Sequence, residues 1–143
     1  MTTPKKYRED FTLFLEAGYI AVNQADEDSA NKLFAAAEQL EPQNALPKLG
    51  RGYLHLHKLE LKQACKAFED ILDQEPNNHM AKAFLGIALS MQPSTVDKGE
   101  KILKETHKSK EFGINSLSET AIDFVERFIK KTPGPAGKSN KRP

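Results

Sequence analysis

A period of 34 residues runs through the first three-quarters of the chain. Gly18, Gly52 and Gly86 stand at this spacing, as do Ala30 with Ala64, Phe34 with Phe68, and Pro42 with Pro76. The strings Glu41-Pro42-Gln43-Asn44 and Glu75-Pro76-Asn77-Asn78 repeat at the same interval. A unit of this length is one helical hairpin, which cannot bury its apolar face alone, so successive units stack. A stack of hairpins is all-α, and its main use is as a surface that grips another polypeptide.

Each unit is expected to hold two antiparallel helices with small residues where they cross. In the first, Phe14, Ala17, Gly18 and Ala21 recur at three- and four-residue steps and mark one face of the leading helix. A mid-helix glycine costs about 1 kcal/mol against alanine. Its recurrence at one position points to a packing demand, since a residue without Cβ lets the neighbouring helix come close. Ala30, Phe34 and Ala37 form the matching face, and Pro42 ends the second helix. The second unit repeats this with Gly52, Ala64, Phe68, Ile71 and Pro76. In the third, Gly86 is in register, but Gln92-Pro93-Ser94 interrupts, and no proline closes the unit. A one-residue insertion there brings Gly99 and Leu103 to the small and bulky positions.

The pattern predicts helices over 4–24, 27–40, 45–57, 60–74, 79–91 and 95–109. After a turn at 111–115, Ser116 and Glu119 fit a capping box. Leu117, Ala121, Phe124, Val125 and Phe128 then make one apolar stripe, with Asp123, Glu126, Arg127, Lys130 and Lys131 turned to water. This predicts a seventh helix within 113–131 that covers the last open core face, with a partner-binding helix as the alternative. Residues 132–143, with Lys138, Lys141 and Arg142, read as a disordered basic tail.

Bulk properties remove several function classes. A length of 143 residues suits one domain with a continuous core. A net charge of +1 argues against a general nucleic-acid binder, which carries a clearly basic face. The single cysteine, Cys65, excludes an internal disulfide framework and, beside Ala64, reads as a small buried thiol. No apolar run is long enough to span a membrane. The opening residues, Met1 to Arg8, lack the apolar core of a signal peptide, and the expected compartment is a reducing cytoplasm.

The repeated glycine, alanine, phenylalanine and proline positions resemble the tetratricopeptide repeat over roughly residues 11–111. The resemblance implies an all-α, tetratricopeptide-repeat superhelix of three helical hairpins plus a C-terminal capping helix. The repeats fall at 11–44, 45–78 and 79–112, within a domain of 1–112, followed by the capping helix at 113–131 and the tail at 132–143. The string Phe14-Leu15-Glu16-Ala17-Gly18-Tyr19-Ile20-Ala21, with Gly52-Tyr53-Leu54, looks like the tetratricopeptide chaperones of bacterial type III secretion. Within that group the chain is most similar to the needle-subunit chaperones, and secondarily to translocator chaperones. The resemblance implies a cytoplasmic, non-enzymatic protein without cofactors. It would hold an aggregation-prone secreted needle subunit before export, together with a small helical co-chaperone, as a hetero-oligomer.

The tetratricopeptide pattern also places groove-facing residues at the second, fifth, ninth and twelfth positions of each repeat. On this chain these are Thr12, Leu15, Tyr19 and Val22; then Leu46, Leu49, Tyr53 and Leu56; then Met80, Ala83, Ile87 and Ser90. All but Thr12 and Ser90 are apolar or aromatic and form the candidate partner-binding groove, fit for the apolar face of an amphipathic helix. Tyr19 and Tyr53 read as interface anchors, with aromatic bodies and polar tips. Packing against the second helices, or a seventh helix folded back into the groove, is the competing use of these side chains. A scaffold or self-assembly module is the competing function. The clamp of Lys, Asn and Arg by which some tetratricopeptide domains hold a C-terminal carboxylate is missing, since Leu15, Tyr19, Leu49 and Tyr53 stand on these helices.

No constellation reads as a catalytic or metal site. His55 and His57 are two residues apart, about 200° around a helix, and cannot share a metal from one face. His79 and His107 are isolated. Gly50-Arg51-Gly52 lies inside a predicted helix and lacks the strand-loop setting of a phosphate loop. The acidic groups Glu9-Asp10 and Asp26-Glu27-Asp28 carry no argument for acid–base chemistry. Asp26 or Asp28 at a helix start would complement the helix dipole.

Overall fold

The computed structural model describes residues 5–106, and these form six α-helices: α1 Lys5–Asn23, α2 Glu27–Leu40, α3 Leu46–His57, α4 Leu61–Gln74, α5 His79–Ser90 and α6 Val96–Thr106. The expected seventh helix and basic tail lie outside the described residues. The chain divides into two compact units between Gln74 and Glu75. The first holds α1 to α4 and the second holds α5 and α6.

In the first unit α1 packs on α2 and α3 on α4, while α3 also touches α1 and α2. Three-residue turns join the helices within each pair, so each pair runs antiparallel. The crossings are made as the sequence period demands. A Cβ added at Gly18 would lie 2.5 Å from Phe34 Cε1. One added at Gly50 would meet the same ring, also at 2.5 Å from Cε1. Phe34 therefore sits fully buried between glycines of α1 and α3. Gly52 receives Phe68 in the same way. Ala30, Ala37, Ala64 and Ile71 complete the interior on the second helices. Arg51 of α3 reaches back to Glu38 of α2 at 2.7 Å.

In the second unit α5 packs on α6, and Leu103 takes the place of the phenylalanines: a Cβ at Gly86 would lie 2.9 Å from its Cγ. Gly99 is needed for a closer approach, because its Cβ would fall 2.5 Å from the Ser90 backbone nitrogen and 2.7 Å from the Gly86 carbonyl oxygen. Gly99 and Leu103 are thus the small and bulky positions, as a one-residue insertion requires.

The turns show where that insertion comes from. After α1, Asp26 N–H donates to the Ala21 carbonyl at 2.8 Å and Ala25 N–H to Val22 at 2.9 Å. After α3, Glu60 N–H donates to His55 at 2.9 Å and Leu59 N–H to Leu56 at 3.0 Å. Both are Schellman closures, which need a left-handed residue. Ala25 (φ 61°) and Leu59 (φ 59°) supply it, 34 residues apart, without being glycine. The next residue in that register is Pro93. Proline can neither take a positive φ nor donate an N–H. The turn between α5 and α6 therefore opens to five residues, closed instead by the Thr95 hydroxyl donating to the Leu89 carbonyl at 2.7 Å.

The Glu-Pro-X-Asn strings are turn devices. Asn44 N–H donates to the Glu41 carbonyl at 3.1 Å, and its Nδ2 to Glu41 Oε1 at 3.0 Å. Asn78 does the same to Glu75, at 2.9 and 3.0 Å. The asparagines then start the next helix in different ways. Asn78 caps α5 by accepting from Ala81 N–H at 2.9 Å. The counterpart of Ala81 is Pro47, which has no N–H, so Asn44 accepts from Leu46 N–H at 2.9 Å. Asp26 caps α2 through Ser29 N–H at 3.1 Å, and hydrogen bonding from Ser29, its side chain first and its backbone second, holds the Asp26 carboxyl below the usual range.

Candidate partner-binding surface

The twelve groove-facing positions follow a single rhythm of exposure. The second position of each repeat is exposed: Thr12, Leu46 (42%) and Met80 (36%). The ninth is half-buried: Tyr19, Tyr53 and Ile87. The fifth and twelfth are buried, which places Leu15, Val22, Leu49, Leu56 and Ala83, with Ser90, in the interior. This corrects the reading of all ten apolar residues as a lining offered to a partner. A helix lying against neighbours on two sides buries a stripe wider than 100°, and the fifth and twelfth positions fall inside it. Leu15 and Val22 belong to the same apolar cluster as Phe11, Ala30 and Phe34, and so build the wall from behind.

What remains open in the first unit is a row of rings. Tyr19 meets Phe34 edge-on at 5.3 Å, Tyr19 and Tyr53 lie 5.6 Å apart at 42°, and His57 stands edge-on to Tyr53 at 4.7 Å. The polar tips expected to anchor a partner are already used. The Tyr19 hydroxyl donates to the Leu46 carbonyl at 3.1 Å, and the Tyr53 hydroxyl to Asn23 Oδ1 at 2.7 Å. Each bond ties α1 to α3. Burial pushes the Tyr19 phenol well above its ordinary pKa, with Tyr53 adding to the shift, and burial also raises Tyr53. Both stay neutral. With their hydroxyls satisfied internally, these residues present ring surface, so the row can bury apolar side chains and supplies no charge.

The turn after α3 carries a polar network at the edge of the same unit. Lys58 Nζ lies 2.8 Å from Glu27 Oε2 and 3.2 Å from Glu60 Oε2, while His55 Nδ1 lies 2.7 Å from Glu60 Oε1. The hydrogen bond to His55, then that to Lys58, lowers the Glu60 pKa; the bond to Glu27 leads in raising Lys58. The network clips the α3–α4 turn to the start of α2. His55 is therefore occupied in a hydrogen bond with Glu60 and His57 in a ring contact. Among the described residues no group of three or more His, Cys, Asp or Glu side chains could hold a metal ion. No described helix is long and apolar enough to cross a membrane. Cys65 is buried in α4.

Among the exposed large apolar residues that the groove pattern did not single out, two stand on one strip of α1. Leu13 and Ile20 of α1 are 60% and 54% exposed, on the side of the helix away from Phe11, Leu15, Gly18 and Val22. Their seven-residue spacing, out of step with the Phe14–Ala17–Gly18–Ala21 face, was the available signal. Comparison with protein-family models, curated proteins and solved structures found no match to this chain.

Proposed function

We propose that the chain is a non-enzymatic chaperone of the tetratricopeptide-repeat kind, acting in a bacterial cytoplasm. It holds an amphipathic helix of a secreted needle subunit of type III secretion and keeps that subunit from polymerising, together with a small helical co-chaperone. The observation that carries the reading lies in the first unit: Leu46 is exposed, and Tyr19 and Tyr53 stand half-open at the ninth positions of its two hairpins. Large apolar side chains left open at equivalent places in the two hairpins of this unit suit the spaced anchors of a bound helix. The hydroxyls of Tyr19 and Tyr53, satisfied inside the protein, leave no polar demand that a partner must meet.

The test is co-expression with small secreted helical proteins, followed by size-exclusion chromatography with mass determination. A complex that keeps a needle-type subunit monomeric is the expected result. Leu46→Asp, at an exposed position, should weaken it at least tenfold, or about 1.4 kcal/mol. Tyr53→Phe separates the ring from the Asn23 bond and should leave binding intact. An unchanged complex with Leu46→Asp would overturn the reading.

A further inference from the structure

The outer face of α1 carries a seam that the groove reading does not use. Leu13, Glu16 and Ile20 fall at i, i+3 and i+7, one strip of the helix, while the core-facing strip is Phe11, Leu15, Gly18 and Val22. Leu13 and Ile20 are among the most exposed large apolar residues described. A shallow hollow on the N-terminal side of Leu13 is lined by Lys5, Arg8, Glu9, Thr12, Leu13 and Glu16. Two apolar side chains in line, about 10 Å apart along the axis, make a narrow ridge, which suits one helix laid alongside rather than a folded domain.

The charges say which kind of helix. The carboxylates nearer the start of α1 have cations one turn away: Glu9 lies 3.9 Å from Lys5, and Asp10 3.6 Å from Lys6. Glu16 has Thr12 and Ile20 at those positions and no ion pair among the described residues. It sits between the two apolar side chains. A second copy of the chain is the wrong occupant. Pairing the seam with itself, parallel or antiparallel, sets Glu16 near its own mate, and like charges brought together at a partly dried contact repel. A helix with a cation between two apolar residues meets all three side chains at once.

We propose that the outer face of α1 is a second docking surface, built from Leu13, Glu16 and Ile20, for an amphipathic helix that carries a lysine or arginine between apolar residues seven apart. The surface is separate from the Leu46–Tyr53 row, and the two can fail independently.

Two synthetic helical peptides test it, identical except for Lys or Glu between two leucines seven apart. Binding to the full chain is read by fluorescence anisotropy at low salt. The lysine peptide should bind about threefold more tightly, the size of one exposed ion pair, and the preference should vanish in high salt. Glu16→Lys should reverse the preference. The double variant Leu13→Ser, Ile20→Ser should abolish binding of both peptides, and Leu46→Asp should leave it unchanged. All these positions are exposed, and circular dichroism confirms that each variant is folded. Equal binding of the two peptides, an unaltered preference in Glu16→Lys, or loss only in Leu46→Asp would overturn the proposal. So would a wild-type dimer that the double serine variant dissolves.

Discussion

Gly18→Ala is the perturbation that isolates why the 34-residue period exists. Helix propensity alone predicts that the alanine stabilises α1 by about 1 kcal/mol. Packing predicts the reverse. The new methyl would sit 2.5 Å from Phe34 Cε1 and 2.9 Å from Cδ1, roughly 1 Å inside ordinary carbon contact. The ring cannot step aside, because Gly50 of α3 holds the same Cε1–Cζ end of it equally closely and Phe34 is fully buried. Overpacking of a trapped ring belongs at the upper end of the usual cost, about 3 kcal/mol. The net is a loss of about 2 kcal/mol, which for a unit of this size lowers Tm by about 10 °C. Urea unfolding followed by circular dichroism measures it, with an unchanged slope showing that the unfolded state is not the cause. Phe34→Leu in the same chain should relieve the clash, so the double variant should be more stable than the sum of the two single losses by at least about 1 kcal/mol. A Gly18→Ala variant as stable as wild type, or more so, would refute the argument that the glycine is held by packing.

Leu59→Gly should stabilise the first unit by about 1 kcal/mol in the same urea assay, because the left-handed backbone that leucine adopts at φ 59° is free of strain for glycine. Leu59 is 65% exposed, so little packing is lost. Ser90→Ala should be neutral or stabilising by up to about 1 kcal/mol in thermal unfolding, since the buried hydroxyl has no hydrogen-bond partner among the described residues. The Glu60 network should be acid-labile. Its folded pKa lies below the unfolded value, so its stabilisation is complete above the ordinary carboxylate pKa and is lost as pH falls through that value toward the folded one. Melting temperatures measured from about pH 7 to about pH 3 should fall more steeply for wild type than for Glu60→Gln, where the titrating carboxyl is gone.

Helix positions were legible because each is punctuated by residues with one mechanical use. The expected 27–40 and the observed Glu27–Leu40 agree, and the other described ends differ by at most a residue, the expected end at 109 lying outside the described residues. Glycine against phenylalanine fixed which faces meet, since only a residue without Cβ admits a ring at that distance. The candidate surface was less legible. A position in the repeat says which way a side chain points and leaves open how far the next helix reaches over it. That reach decides that Leu49 is 1% exposed while Leu46, three residues earlier, is 42% exposed. The tyrosine tips were misjudged for a related reason. Their acceptors, the Leu46 carbonyl and Asn23 Oδ1, lie 27 and 30 residues away, so no local pattern could reveal that they were taken.

The third hairpin shows how one residue can force the rest of a unit to adapt. Ala25 and Leu59 tolerate the left-handed turn, and their hairpins keep the period and set a phenylalanine into the glycine notch. Pro93 cannot take that turn. The loop opens from three residues to five, α6 enters a residue later in the period, and Leu103 rather than a phenylalanine faces Gly86. A smaller side chain in the notch lets the helices come closer, and Gly99, with a Cβ position 2.7 Å from the Gly86 carbonyl oxygen, is what permits that approach. Gly99→Ala should therefore be the least tolerated of the glycine substitutions. The added methyl meets backbone on α5, which cannot rotate away as the end of a flexible side chain can. The expected loss exceeds that of Gly86→Ala, whose nearest obstacles are the Leu103 and Ile102 side chains. Urea unfolding of the two variants decides the order, and a Gly86→Ala loss larger than that of Gly99→Ala would show that the side-chain notch, and not the backbone contact, limits how closely α5 and α6 pack.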